Sequence, residues 1–178
     1  MRKLFIGIFS AILILSGQAQ ADYQIFFGNS WAVTVPDYCE LKDAAILCKV
    51  DGADAMYINW KIVTEGKDYT QEHHREVALD PEMNAKSVQS MKQRVVEYAK
   101  EHKDTVTVEP EAYAREIGQG VWATVGAVTS SSGAYIAKVQ IWHLGFGGEI
   151  TGVVVDPKYL SAWWNIVDSI RTKYMGEN

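Results

Sequence analysis

Three features are missing from this chain beyond its first 21 residues: a long apolar run, a cluster of basic side chains and a cysteine pair with redox spacing. Without an apolar run of roughly 20 residues, no membrane span is predicted. Without a Lys and Arg cluster to offset the excess of acidic groups, binding to nucleic acid or anionic lipid is disfavoured. Without C-x-x-C spacing, a redox role for the cysteines is disfavoured.

The first 21 residues have the three-part pattern of a cleavable secretory signal peptide. Arg2 and Lys3 precede an apolar run over 4–15, and residues 19–21 (AQA) form a small-x-small cleavage site. This run is shorter than a bilayer span. A buried N-terminal helix or an uncleaved anchor is the alternative. The pattern therefore predicts export to the periplasm, or secretion, after cleavage near Ala21.

The predicted mature chain, residues 22–178, has the length of one domain and can bury a hydrophobic core of its own. Loss of Arg2 and Lys3 on cleavage would change the net charge from −5 to −7. Eight residues separate Cys39 from Cys48, which suits a bridge across a short hairpin. Because exported compartments permit disulfides, a structural disulfide is predicted, with two buried thiols as the alternative.

Strands are predicted where aromatic and β-branched residues cluster or where apolar residues alternate with polar ones. These segments are 23–27, 31–35, 45–50, 56–63, 105–108, 121–129, 134–144 and 149–155. Short connections between the late strands require antiparallel pairing. The polar segment 65–79 is predicted to be a loop, and segment 111–118 is ambiguous.

Two helices are predicted. Asp80 and Pro81 match an N-cap followed by proline in the first turn, and an apolar stripe with helical period extends this helix to about residue 103. A second apolar stripe follows Pro157. Since amphipathic helices must layer against the apolar face of a sheet, the predicted fold class is α+β, with a twisted antiparallel sheet flanked by helices.

No arrangement of reactive side chains in the sequence points to catalysis. His73 and His74, with Asp68 and Glu72, offer ligands to a divalent metal, but the spacing of a zinc site is absent and a solvated loop is the alternative. His143 lies in a predicted strand, and no nucleophile elbow accompanies it. Neither a catalytic residue, a cofactor nor a metal site is therefore predicted.

Two aromatic residues are candidates for contact with a partner. Phe146 lies at the tip of a predicted hairpin turn over 145–148, where an exposed aromatic ring often marks a contact site. Trp163 and Trp164 are adjacent on the last helix and so point about 100° apart. Trp163 belongs to the apolar stripe, whereas Trp164 lies at its margin and is a candidate interface residue. Burial of both rings is the alternative.

Three stretches carry a resemblance to a known family. They are WAVTVPDYCEL at 31–41, VTSSSGAYIAKVQIWHLGFGGEITGVVVD at 128–156 and WWNIVDSIR at 163–171. In their order, and with a helix between the first two, they resemble the PsbP-like family, which includes an extrinsic protein of the oxygen-evolving photosystem, Mog-type Ran-binding proteins and many exported bacterial proteins. The resemblance implies an α/β/α sandwich and a role in binding or assembly. It carries over no functional residue.

We therefore expect a non-catalytic protein of the cell envelope that binds a partner protein. It would act as an assembly or accessory factor, or as an inhibitor of a toxin or hydrolase such as an immunity protein. Phe146, Trp164, His73 and His74 are the candidate contact residues, and the acidic charge suits a basic partner. The alternatives are a carrier of a small apolar ligand and a metal-dependent hydrolase using His73 and His74.

Overall fold

A computed structural model describes the protein at residues 22–27, 31–65, 72, 75–76, 79–117, 121–143 and 146–172. The strands in these ranges are β1 (Tyr23–Phe27), β2 (Trp31–Val35), β3 (Cys39–Lys42), β4 (Ala45–Val50), β5 (Ala53–Glu65), β6 (Glu111–Ile117), β7 (Val121–Thr129), β8 (Tyr135–His143), β9 (Phe146–Val154) and β10 (Arg171–Thr172). The helices are α1 (Pro81–Glu101) and α2 (Leu160–Asp168), the second preceded by a short 3-10 helix at Pro157–Tyr159.

The strands form two antiparallel sheets. The larger sheet has the order β3-β4-β5-β9-β8-β7-β6, and the smaller has the order β1-β2-β10. Each neighbouring pair is antiparallel. The α+β fold with an antiparallel sheet and two helices, as predicted, is confirmed. No helix in the described part of the chain is both long and apolar enough to span a bilayer.

Helix α1 covers one face of the large sheet over β6, β7 and β8. The Asp80 carboxylate caps the helix by accepting hydrogen bonds from the backbone N–H groups of Glu82 and Met83, both at 2.9 Å. Its buried side chains are those of Met91, Val95 and Ala99. At Met91 the helix lies so close to the sheet that a Cβ at Gly126 would collide with the Met91 side chain and carbonyl.

The opposite face of the large sheet packs against α2 and the small sheet. Gly152 on β9 and Gly126 on β7 lie on opposite faces, because Gly126 is in register with Lys138 and Thr151, whereas Gly152 is in register with Ala137. The ring of Trp163, which is fully buried, fills the space over Gly152. The main core therefore lies on this face. It contains most of the buried side chains, including Val35, Ile46, Met56, Ile58, Val125, Val139, Ile141, Ile150, Val154, Trp163, Val167 and Ile170.

The hairpin β3–β4 holds the disulfide. Asp43 and Ala44 join the two strands with positive φ at both positions, as a type I′ turn requires. This turn sets Cys39 opposite Cys48, with their Cα atoms 3.9 Å apart and their sulfurs bonded. Both cysteines are buried. The predicted cysteine pair is therefore disulfide-bonded in the structure.

Several predicted boundaries were wrong. Segment 105–108 forms a single β-bridge, between Val106 and Ser130, and not a strand. Val108 is exposed, so the segment lacks the buried face that would stabilise a strand. The ambiguous segment 111–118 is the strand β6. In the predicted loop 65–79, the described residues 72, 75, 76 and 79 have helical backbone.

The turn predicted at 145–148 is shorter than expected, since β9 begins at Phe146. Phe146 pairs with His143 of β8 and with Glu65 of β5. The glycines that follow also pair with both neighbouring strands, so they extend β9 and do not form a turn. The final helix ends at Asp168, and the chain then enters the short strand β10. Arg171 leaves the helix to pair with Ala32 in the small sheet.

We expect Gly152→Ala to lower the free energy of unfolding by about 1–3 kcal/mol, the usual cost of overpacking a core. The added methyl group has no room beside the Trp163 ring. In a Trp163→Leu background the added cost of Gly152→Ala should largely disappear, because the obstructing ring is gone. Denaturant unfolding of the two single variants and the double variant measures this coupling. Additive costs would contradict the packing.

We expect the double substitution Cys39→Ala/Cys48→Ala to lower the free energy of unfolding by about 2–3 kcal/mol, because the disulfide no longer restricts the unfolded chain. Denaturant unfolding under oxidising conditions measures the loss. In excess reductant the wild-type protein and the variant should have similar stability. A variant as stable as the oxidised wild-type protein would show that the bridge contributes nothing.

Candidate functional site

The last helix and the edge strand β6 bring an arginine, a tryptophan and an acidic residue together at the surface. The guanidinium carbon of Arg115 lies 4.6 Å from the centroid of the Trp164 ring. Its Nη2 donates a hydrogen bond of 2.6 Å to Oδ1 of Asp168. Tyr113, two residues earlier on β6, lies on the same face as Arg115 and is 37% exposed. We call Tyr113, Arg115, Trp164 and Asp168 the Arg115 patch.

The two tryptophans of helix α2 divide as the apolar stripe predicted. Trp163 is fully buried, whereas Trp164 is partly buried. Their rings are tilted at 55° with centroids 6.0 Å apart. Trp164 therefore contacts both the buried Trp163 ring and the Arg115 guanidinium. This arrangement holds an aromatic surface in one orientation at the edge of the sheet.

The interactions within the Arg115 patch orient its members more than they stabilise the fold. The Arg115 and Asp168 side chains are 29% and 42% exposed, and an ion pair this accessible contributes at most about 1 kcal/mol. A cation–π contact at an exposed site contributes about 0.5–1 kcal/mol. The guanidinium is thus pre-organised for contact, which reduces the ordering cost of binding.

A second tyrosine, Tyr135 of β8, lies near the Arg115 patch. Burial raises the pKa of the Tyr135 phenol well above its ordinary value of 10, and the nearby Tyr113 and Glu111 act in the same direction. The charge of Arg115 opposes them. Burial also raises the pKa of the Tyr113 phenol, against the charge and hydrogen bond of Arg115. Both phenols therefore remain neutral hydrogen-bonding groups at neutral pH.

A different polar cluster lies on the other face of the sheet, beneath α1. Both carboxylate oxygens of Glu149 are used, one by Arg94 Nη1 and one by Lys138 Nζ, each at 2.7 Å. The Lys138 ammonium also lies 5.2 Å from the centroid of the Tyr98 ring. A groove of about 180 Å³, bordered also by Lys61, opens here. The Glu149 and Lys138 side chains are only 12% and 13% exposed. Through Arg94, this mostly buried cluster joins helix α1 to the sheet.

Another concavity, of about 250 Å³, lies between the small sheet and α2. Two hydrogen bonds join its lining residues Thr34 and Ser169: the Thr34 N–H donates to the Ser169 hydroxyl, which donates to the Thr34 carbonyl. Its lining mixes polar and apolar residues: Asp22, Thr34, Pro36, Ala162, Asn165, Ile166 and Ser169. Neither of these two concavities has the mostly apolar lining that binds a small apolar ligand.

Several predicted contact residues cannot be placed. His73 and His74 lie outside the described residues. For His143 and Phe146 the structure gives the backbone, at the facing ends of β8 and β9, but not the side chain. Among the residues that are described, no three His, Cys, Asp or Glu side chains come together in a group able to hold a metal ion.

Sequence reasoning gave Trp164 as a candidate contact residue but did not consider Arg115 or Tyr113. Both lie in segment 111–118, which we left ambiguous. A signal was present, since in EAYAREI the residues Ala112 and Ala114 alternate with larger side chains, as in a strand with two different faces. The partners of Glu149 come from two elements, Lys138 from the adjoining strand β8 and Arg94 from α1. Nothing local in the sequence indicates that Arg94 meets them.

Together, the three layers and the antiparallel sheet define a PsbP-like α+β fold. The structure is similar to the solution structure of cyanobacterial PsbP (CyanoP) from Synechocystis sp. PCC 6803, with a TM-score of 0.51 and 9% sequence identity. The similarity covers 88% of this chain and 95% of that one. No protein-family model and no curated protein matches this sequence. At this identity the similarity establishes the fold alone.

We expect the free energy of unfolding to fall as the pH rises above about 10, the pKa of an unperturbed tyrosine. Because folding raises the pKa of Tyr135, the native protein keeps a proton that the unfolded chain loses in this range. Tyr135→Phe should therefore lose less stability than the wild-type protein on the same rise in pH. Urea unfolding at a series of alkaline pH values measures the slope. Tyr57→Phe, at an exposed position of the sheet, is the control, and equal slopes for the two variants would refute the assignment.

Proposed function

We propose that this protein is a non-catalytic, exported cell-envelope protein that binds a partner protein through the Arg115 patch. The observation that carries the proposal is the Arg115 guanidinium held over the Trp164 ring, 4.6 Å from its centroid, at the edge of the large sheet. Export is supported by the signal-like pattern of residues 1–21 and by the Cys39–Cys48 disulfide, a bond typical of oxidising compartments.

The composition of the Arg115 patch supports a binding role. Trp, Tyr and Arg are the residues most enriched among those that dominate the binding energy of protein interfaces. Here the three types occur together and are partly exposed, with Trp164 backed by the buried Trp163. A rigid aromatic ring beside a fixed guanidinium offers apolar area and hydrogen-bond donors at a small entropic cost.

Charge indicates the kind of partner. The predicted mature chain carries a net charge of −7, since Arg2 and Lys3 leave with the signal peptide. A basic partner would be attracted over distance and would associate faster at low salt. An assembly factor, an accessory subunit and an inhibitor of a basic toxin or hydrolase all fit this description. Phe146 and the segment with His73 and His74 remain predicted secondary contacts.

We expect the wild-type protein to capture a specific partner from an envelope extract of its source organism. Trp164→Ala should weaken the binding of that partner by at least about 2 kcal/mol, the size typical of a dominant interface residue. Calorimetry with the purified partner measures the change. Thermal unfolding of the variant verifies that it is folded.

The matched control is Phe26→Ala. Phe26 is 67% exposed on β1, away from the Arg115 patch, so its loss should leave binding unchanged. Phe146→Ala tests the secondary contact in the same assay. Equal affinity of the partner for Trp164→Ala and for the wild-type protein would contradict binding through the Arg115 patch. The absence of any specific partner would contradict the proposed function.

A further inference from the structure

The outer edge of β6 is the longer of the two edges of the large sheet. All seven residues of β6 pair with β7, and no other described strand pairs with its far side. The opposite edge strand, β3, has only four residues. Alternate backbone N–H and C=O groups of an edge strand point away from the sheet and can pair with another strand. The edge of β6 is therefore a place where a further strand can add.

The side chains of β6 sort by face. Ala112 is in register with Gly126, which faces α1, so the alanines at 112 and 114 present a small surface on that side. Glu111, Tyr113 and Arg115 lie on the other face, with opposite charges two positions to either side of the tyrosine. This pattern is self-complementary when the strand is reversed.

We propose that the protein forms a homodimer in which β6 pairs antiparallel with β6 of a second copy, centred on Tyr113. Glu111 of each copy then lies opposite Arg115 of the other, and the two Tyr113 rings lie opposite each other. On the other face Ala112 lies opposite Ala114. Such a contact is isologous and closes at two copies, as a two-fold axis requires. It goes beyond the proposed function and does not depend on it.

Among registers that pair only residues of β6, charge favours this one. In an antiparallel pair, residues directly opposite must have the same backbone orientation, so a two-fold axis can pass only through one residue and its own copy. Centring on Arg115 would place like charges opposite each other, and centring on Ala114 would place Glu111 opposite Ile117. Centring on Tyr113 gives two attractive pairs. Pro110, which has no backbone N–H group, ends the pairing just beyond Glu111.

Arg115 can take part without leaving its own contacts. Its guanidinium has five N–H donors; the bond of 2.6 Å to Asp168 uses one, and the hydrogen bond to the Tyr113 phenol uses another. The ion pair and the Trp164 ring hold the side chain in place. Glu111 is exposed, so its carboxylate is accessible to a second copy.

Sedimentation equilibrium of the purified protein tests the proposal at concentrations up to about 1 mM, where even weak association populates a dimer. We expect a concentration-dependent dimer for the wild-type protein. Glu111→Lys should weaken it roughly tenfold or more, because two attractive cross-strand pairs become repulsive. Glu40→Lys makes the same change at an exposed position on the opposite edge strand and should leave the dimer unchanged.

A mixing experiment tests the register itself. Arg115→Glu combined with Asp168→Lys reverses the charge at position 115 while keeping an ion pair with α2, and this variant alone should also dimerise at least about tenfold more weakly than the wild-type protein. Mixed with Glu111→Lys, it should form a heterodimer about as tight as the wild-type dimer, since both cross-strand pairs again carry opposite charges. If the doubly substituted variant does not fold, the comparison of Glu111→Lys with Glu40→Lys decides.

Four outcomes would overturn the dimer. One is a wild-type protein that stays monomeric at about 1 mM. Another is a dimer that Glu111→Lys does not weaken, or that Glu40→Lys weakens equally. The third is a mixture of two folded, monomeric variants that yields no heterodimer. A strand from a different protein bound at β6, with the wild-type chain monomeric on its own, would overturn it as well.

Discussion

The fold depends on covering both faces of one seven-stranded sheet. Strand β7 is buried along nearly its whole length, so neither of its faces can be left to water. Two glycines allow the covering layers to approach closely, Gly126 beneath Met91 of α1 and Gly152 beneath Trp163 of α2. Since protein interiors are packed without spare volume, these two contacts set how far each helix lies from the sheet.

The position of α2 determines the candidate site. With Trp163 seated on Gly152, the next residue along the helix turns toward the sheet edge, and Asp168 follows about one turn later. Arg115 on β6 meets both, and the contacts leave its guanidinium oriented and partly exposed. The surface that we associate with binding is therefore a direct consequence of core packing, and the same strand edge is where a second copy can pair.

Much of the architecture could be predicted because it depends on local chemistry. Asp80 and Pro81 mark the start of α1 by cap geometry and fixed φ, and β7 follows from a run of mostly apolar and β-branched residues. The errors came where partners distant in sequence decide the backbone. Gly147 and Gly148 resemble turn residues, yet their backbone pairs with strands on both sides. Beyond the last helix, Arg171 forms a strand because it pairs with Ala32 of β2.

The sequence by itself predicted the class of fold, the cysteine pair, the helix starts and the central place of Trp163 in the apolar stripe. Each of these depends on residue type, spacing or periodicity within one segment. Only the tertiary structure decided that Arg115, Trp164 and Asp168 meet, and that Glu149 joins Arg94 to Lys138. Arg94 and Glu149 are 55 residues apart, and Arg115 and Asp168 are 53 apart. Such contacts form only when strand order and layer packing bring remote segments together.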